Sequence, residues 1–438
     1  MKIGYLTFGR DDFGYGLALC LSRLQGHDIY RVTPKTARYV DALLFSCFWW
    51  EHLYLLADFI RRAGIKKGEG PRVIVGGFNT FNPVPFTGYA DTVVCGDGEE
   101  ILPAVLSGEN PGFTWNTVQP LQAFCHETND IARIELSRGC RYRCRFCAVA
   151  HLKPYRETPV EEIEQALRRT KLKRVSLFAP EPTMHSADKE LTEICHRLRK
   201  MRVDSDVRLD HLSLRDDSVP RVGIEGLSER LRKSVSKPYS NKKIVSSVKE
   251  AIKQGRKGLF MYMILDLPGE REEDWMEFRE LLSEIGSLPG AGGFLLKPSP
   301  SVFMPSPHTP MEYDGIHWDR DYHGKWETFF GRGDDRQWDV MMAERSRVFS
   351  PAMRVLSMLS TRSGQEFAEI ERELTRTKTI SISGGRVKCN SQAGILRVLR
   401  NYGGVERYCG RRDETTAPWK VVTSSGPQTG GEAPPEGL

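Results

Sequence analysis

From Lys2 to Lys297, short apolar runs alternate with amphipathic segments, and this order leaves little choice of fold. Strands separated by helices pair in parallel and need helices packed on their faces. Lys2–Phe8, Asp28–Val32, Ala42–Phe48, Arg72–Val75 and Thr92–Cys95 read as strands. Between and after them, helices are expected from Gly14 to Leu24, over Leu53–Ala63 closing at Gly64, and up to Leu106. This predicts a doubly wound parallel sheet over 1–110, ending at the linker-like Gly108-Glu109-Asn110-Pro111-Gly112. A chain of 438 residues exceeds what one hydrophobic core usually serves, so further domains are expected.

A second alternating region follows, placed at 125–312. Its expected strands are Arg133–Leu136, Arg174–Phe178, a stretch within Asp206–Leu214, Gly223–Glu225, Gly258–Leu267 and Phe294–Lys297. Helices are expected over Pro159–Arg169 (capped by Thr158), Lys189–Lys200, Asn241–Gln254 and Glu272–Ile285. Repeated βα units of this length suggest a partial or full (β/α) barrel. Beyond it, 313–422 reads as a mixed, largely helical extension. Tyr313–Asp339 reads as irregular, Pro351–Thr375 as helical and Gln392–Arg400 as a short helix. The Gly-, Pro-, Ser- and Thr-rich 423–438 reads as a disordered tail.

The start, Met1-Lys2-Ile3-Gly4-Tyr5-Leu6, has the pattern of a strand rather than a signal peptide, and no run of eighteen apolar residues occurs. These features imply a cytoplasmic protein with no membrane partner, in the host cytoplasm if viral. Ten cysteines in a reducing compartment suggest a metal or catalytic site before a disulfide framework. The net charge of +6 permits an anionic partner such as nucleic acid but does not require one.

The sharpest chemical signal is Cys140-Arg-Tyr-Arg-Cys144-Arg-Phe-Cys147, of form C-x3-C-x2-C. Soft thiolates select iron–sulfur clusters or zinc. Three cysteines on one tight loop can hold three irons of a [4Fe–4S] cubane and leave the fourth open. That iron can chelate the amino and carboxylate groups of S-adenosylmethionine (SAM). Structural zinc needs a fourth protein ligand, and His151 would complete a Cys3His set. The loop's place between a strand and a helix, at the start of a βα series, favours the cluster. Cys20, Cys47, Cys95, Cys125, Cys195, Cys389 and Cys409 are isolated, so no second cluster motif is visible.

The cysteine motif resembles that of the radical SAM superfamily. Other stretches resemble the branch with an N-terminal cobalamin-binding-like domain. In that domain they are Gly76-Gly77, Asn82-Pro83-Val84-Pro85, Asp91 and Gly96-Asp97-Gly98-Glu99-Glu100. In the barrel they are Ser213-Leu214-Arg215, Gly223 to Arg232, Lys237-Pro238, Leu267-Pro268-Gly269-Glu270 and Pro305 to Pro310. Together they span roughly 1–312. Domains of this type often carry D-x-H-x-x-G after the first strand, with the histidine on cobalt. Here Asp11-Asp12-Phe13-Gly14-Tyr15-Gly16 stands there without one, which argues against cobalamin without excluding it.

The resemblance implies hydrogen abstraction by a 5′-deoxyadenosyl radical, with Cys140, Cys144 and Cys147 on the cluster and a reductant such as flavodoxin or ferredoxin. It nominates Phe146 near the adenine and Glu181, in Ala179-Pro180-Glu181-Pro182, for the SAM ammonium. Arg215 is nominated for the SAM carboxylate, with Glu225 at the same mouth. Each has a plain alternative: a core aromatic, an exposed loop, a structural Arg–Glu pair. No catalytic residue beyond these is nominated. For substrate, a modified nucleobase leads. The Arg-rich C-terminal part (Arg397, Arg400, Arg407, Arg411, Arg412) fits it. A general similarity, carried by no single motif, is to radical SAM isomerases of phage DNA hypermodification, which move an amino-acid substituent on thymine from N- to C-linkage. The alternatives are a cobalamin-dependent methylase of a peptide or small metabolite and a non-catalytic iron–sulfur or zinc module.

Overall fold

The computed structural model describes residues 1–8, 14–109, 113–114, 120–128, 130–203, 206–214, 219–330, 350–383, 385–413 and 417–418. The first region contains β1 (Lys2–Leu6), α1 (Tyr15–Ser22), β2 (Asp28–Arg31), β3 (Ala42–Ser46), α2 (Glu51–Ala63), β4 (Arg72–Gly76), β5 (Thr92–Val93), β6 (Cys95–Gly96), α3 (Gly98–Leu106) and β7 (Phe113–Thr114). Five strands form one parallel sheet in the order β2-β1-β3-β4-β5. Strand β3 is apolar on both faces because both are covered, with Ala42 to Phe45 all buried. Helix α2 buries Leu53, Leu56, Ala57 and Ile60 at helical spacing and stops at Gly64, whose φ of 64° suits glycine.

The second region contains β8 (Cys125–Glu127), β9 (Ile131–Glu135), β10 (Ser137–Arg138), α4 (Ala148–Leu152), β11 (Arg156–Glu157), α5 (Val160–Arg169), β12 (Arg174–Phe178), α6 (Asp188–Arg197) and β13 (Met201–Arg202). It continues with β14 (Arg221–Glu225), α7 (Glu229–Ser234), α8 (Asn241–Lys253), β15 (Gly258–Leu265), α9 (Glu272–Gly286) and β16 (Leu295–Val302). One sheet runs β13-β12-β9-β8 and another β14-β15-β16. Within them β9, β12 and β13 are parallel, as are β14, β15 and β16. An isolated parallel bridge pairs Asp206, between the two sheets in sequence, with Arg221 of β14. Six parallel strands with intervening helices make a partial (β/α) barrel.

Three local expectations are corrected. Thr158 does not cap α5: its hydroxyl donates to the Glu135 carbonyl at 2.8 Å, and Pro159 occupies the cap. The strand expected within Asp206–Leu214 is a 3-10 segment over Leu209–Leu214. There the buried spacing changes from two (Val207, Leu209) to three (Leu212), which suits a turn. Part of the stretch read as irregular is α10 (Tyr322–Phe330), held by Tyr322 and Trp326 in the core.

At the C-terminal end, Pro351–Thr375 is two helices, α11 (Pro351–Arg362) and α12 (Phe367–Arg376). They are followed by the hairpin of β17 (Ile380–Ser383) and β18 (Arg386–Cys389), then by α13 (Gln392–Arg400) and α14 (Glu406–Cys409). The C-terminal helices pack on the first region. Tyr54 donates to the Leu356 carbonyl at 2.8 Å, and the Asn82 amide to those of Thr361 and Ser363 at 3.0 Å. The tail at 423–438 lies outside the described residues. Among the described residues no helix is long and apolar enough to cross a membrane.

Candidate functional site

The cysteine loop leaves β10 and enters α4, so Cys140, Cys144 and Cys147 sit at the C-terminal edge of the barrel's first strands. The thiols are neighbours: Cys140 and Cys144 both lie in the electrostatic field of Cys147. Burial pushes all three upward, Cys144 to about 11. Iron or zinc would therefore have to displace protons on binding. Among the described residues no three His, Cys, Asp or Glu side chains converge on one ion position. A cubane spreads its thiolates over separate irons and needs no such convergence. His151, the fourth ligand of a zinc reading, is held instead by the Cys144 carbonyl, 3.2 Å from its Nε2. The donor set fits a cluster better than a single ion.

Around the thiols stand groups of three kinds. Glu181 is buried and accepts hydrogen bonds from the amide and hydroxyl of Thr183, and its charge is felt at Cys140. Glu225 sits at the bulged end of β14 with φ of 69° and pairs with Lys237 at 2.9 Å. Both members of that pair act on Cys144 and Cys147. A non-glycine residue in this conformation is held by its surroundings, a frequent feature of functional sites. Phe146 is partly buried and packs against the main core. Arg215 lies outside the described residues.

Three participants were not nominated from sequence. Met184 brings its sulfur 3.9 Å from Cys140 Sγ. Arg208 stacks on Tyr142 at 3.6 Å and acts on Cys140 and Cys144. Lys237 was legible only as part of Lys237-Pro238, without a role. The loop itself is anchored from the first region. Asp97, at the N-cap of α3, is buried and pairs with Arg138 at 2.9 Å, Lys153 at 2.8 Å and Arg156. Arg138 also holds Glu99 and Glu135, each at 2.6 Å.

The C-terminal edge of β1 and β3, where a doubly wound sheet opens its crevice, is aromatic. Phe8 stacks on Phe45 and contacts the His52 ring at 5.3 Å. Phe48 and Trp49 are 52% and 62% exposed, with rings 4.9 Å apart. Phe48 reaches Phe78, which packs near Ala148, the residue after Cys147. The ledge suits the face of a flat ligand. His52 Nδ1 accepts from the Phe48 amide at 3.1 Å. The sequence position expected for a cobalt ligand falls in 9–13, outside the described residues.

The class defined here is an α/β protein joining a doubly wound sheet to a partial barrel with a three-cysteine loop at its mouth. The family model described as the radical SAM superfamily matches residues 134–282. The matched stretch contains Cys140, Cys144 and Cys147 and most of the barrel. An uncharacterized protein of Methanocaldococcus jannaschii is 29% identical over 196 residues, covering 41% of this chain and 42% of that one. The ribosomal protein uS12 methylthiotransferase of Thermotoga petrophila is 26% identical over 218 residues, covering 43% of this chain and 50% of that one. The matches thus span about half the length of these relatives. The fold is also similar to a radical SAM methyltransferase, TsrM, from Kitasatospora setae, solved with cobalamin and a [4Fe–4S] cluster. That match has a TM-score of 0.52 and 14% identity, over 86% of this chain and 98% of the other.

Proposed function

We propose that the chain acts as a radical SAM enzyme, with Cys140, Cys144 and Cys147 each holding one iron of a [4Fe–4S] cluster. The observation that carries this reading is three neighbouring thiols on one strand-to-helix loop inside the matched radical SAM region. When bound, the cluster and SAM supply one-electron cleavage of the sulfonium to a 5′-deoxyadenosyl radical, which takes hydrogen from the substrate. The protein's own part is to bind and orient. Glu181 offers a buried carboxylate to the SAM ammonium. Lys237, steadied by Glu225, places a cation beside Cys144 and Cys147, where it favours bound anionic groups. Electrons come from a small reductant such as flavodoxin or ferredoxin. Cys144→Ala tests the reading: it should lose both iron and SAM cleavage, and retention of both contradicts it.

Of the outcomes open to the radical, cobalamin-dependent methyl transfer to a peptide or small metabolite has the support of the TsrM fold and the exposed ledge at Phe48 and Trp49. Cobalamin would then sit without a histidine ligand from the first loop. The nucleobase reading, isomerisation of an amino-acid-modified thymine in phage DNA, draws on the sequence resemblance and the arginine-rich C-terminal part. Mass spectrometry of the product separates them. A methylase adds a methyl group, whereas an isomerase leaves the mass unaltered.

A further inference from the structure

Four arginines, Arg362, Arg407, Arg411 and Arg412, line a single cleft of about 500 Å³ in the C-terminal region, with Glu366 and Glu406 as its acidic members. This volume is within the range of small-molecule sites. Its electrostatics are unbalanced at the base. Arg362, the last residue of α11, is fully buried. Its terminal nitrogens donate to the carbonyls of Glu312, Asp314, Tyr408 and Gly410 at 3.0–3.4 Å. Among the described residues no carboxylate lies within ion-pairing distance of it, and its Nε has no partner. Carbonyl dipoles satisfy donors but do not neutralise a charge, and a buried unpaired charge is costly. Burial and the neighbouring Arg412 push the Arg362 guanidinium down to about 9. Burial and Arg407 lower Arg412 in the same way.

The two carboxylates are already engaged. Glu366 pairs with Arg407 at 3.1 Å, and Glu406 accepts from the Trp318 indole at 3.4 Å. Arg411 is exposed at the rim. Asp314, whose carboxyl is raised by burial, lies in the field of Arg411, Arg145 and Arg362.

We propose that this cleft binds the phosphate group of a ligand, with Arg362 as the buried charge and Arg407 and Arg411 gripping from the rim. Phosphate fits because its several oxygens accept from more than one guanidinium fork at once. The group can come from a phosphorylated small molecule or from a nucleic-acid backbone. The inference stands apart from the cluster reading, since it uses none of the three cysteines.

The test uses the full-length, anaerobically purified protein and two probes. Pyrophosphate is followed by calorimetry and a short fluorescent single-stranded DNA by anisotropy. The variant R407E/R411E is compared with K249E/K253E, which reverses two exposed lysines of α8 that do not line the cleft. Thermal melting verifies that both fold. The expected result is binding that weakens at least about tenfold in R407E/R411E and stays near wild type in K249E/K253E. Loss of both probes identifies a nucleic-acid backbone, and loss of pyrophosphate alone a small phosphorylated ligand. No binding by the wild type, or equal loss in the two variants, overturns the proposal. Iron content is read separately, so failure here leaves the cluster reading untouched, and the reverse also holds.

Discussion

Asp97 of the first region and Arg138, two residues ahead of the first cysteine, form a buried ion pair of 2.9 Å. Because Asp97 also takes Lys153 and Arg156, one carboxylate fixes both stems of the cysteine loop. Burial alone would raise this carboxyl, but Arg138, Lys153 and Arg156 outweigh it and hold it at about 2. Asp97→Asn leaves three largely buried cations without their shared anion. The expected cost is about 3 kcal/mol in urea unfolding, with faster proteolysis between 138 and 156. A loss below about 1 kcal/mol would show that Glu99 and Glu135 suffice.

Gly139 separates Arg138 from Cys140 and has φ of 75°, with a Cβ position 2.7 Å from the Lys153 carbonyl oxygen. Gly139→Ala therefore combines backbone strain with a clash against the opposite stem. A loss of roughly 1–3 kcal/mol is expected, with reduced iron retention after reconstitution. Gly14→Ala is the control, since its Cβ meets nothing within 4 Å. Equal behaviour of the two variants would remove the stem contact from the account.

His52 supplies a pH prediction. Burial lowers its imidazole to about 4, against an ordinary value near 6.5. The unfolded chain therefore takes up a proton at a pH where the folded one does not. Stability is fully present above about 6.5, declines as pH falls toward about 4 and levels there. His52→Gln should flatten that part of the stability profile. An unchanged slope would mean that His52 is not its source.

The order of elements was legible because apolar runs and helix stops are local signals. Arg174–Phe178 and Gln392–Arg400 fall where their patterns place them, and Gly64 ends α2 as expected. The short strands β8, β17 and β18 were missed, because runs of three or four residues carry too little periodicity. The break between α11 and α12 was missed although Ser363-Gly364 marks it. Ser363 adopts an extended backbone there, with its hydroxyl turned back to the Leu359 carbonyl.

The site was legible in the same measure. C-x3-C-x2-C is a contiguous pattern and states its chemistry. Lys237, Arg208, Met184 and Asp97 come to the loop from distant parts of the chain, and no local pattern assigns them a role there. The Gly96-Asp97-Gly98-Glu99-Glu100 stretch stood out as a family resemblance. Only the ion pairs to Arg138, Lys153 and Arg156 reveal what its aspartate holds.

Anaerobic reconstitution followed by a SAM-cleavage assay tests the central claim most directly. The account predicts about four irons per chain, a reducible cluster signal that changes when SAM is added, and 5′-deoxyadenosine formed in the presence of a one-electron reductant. Stoichiometric zinc without iron, and no cleavage of SAM by the reduced protein, would contradict it.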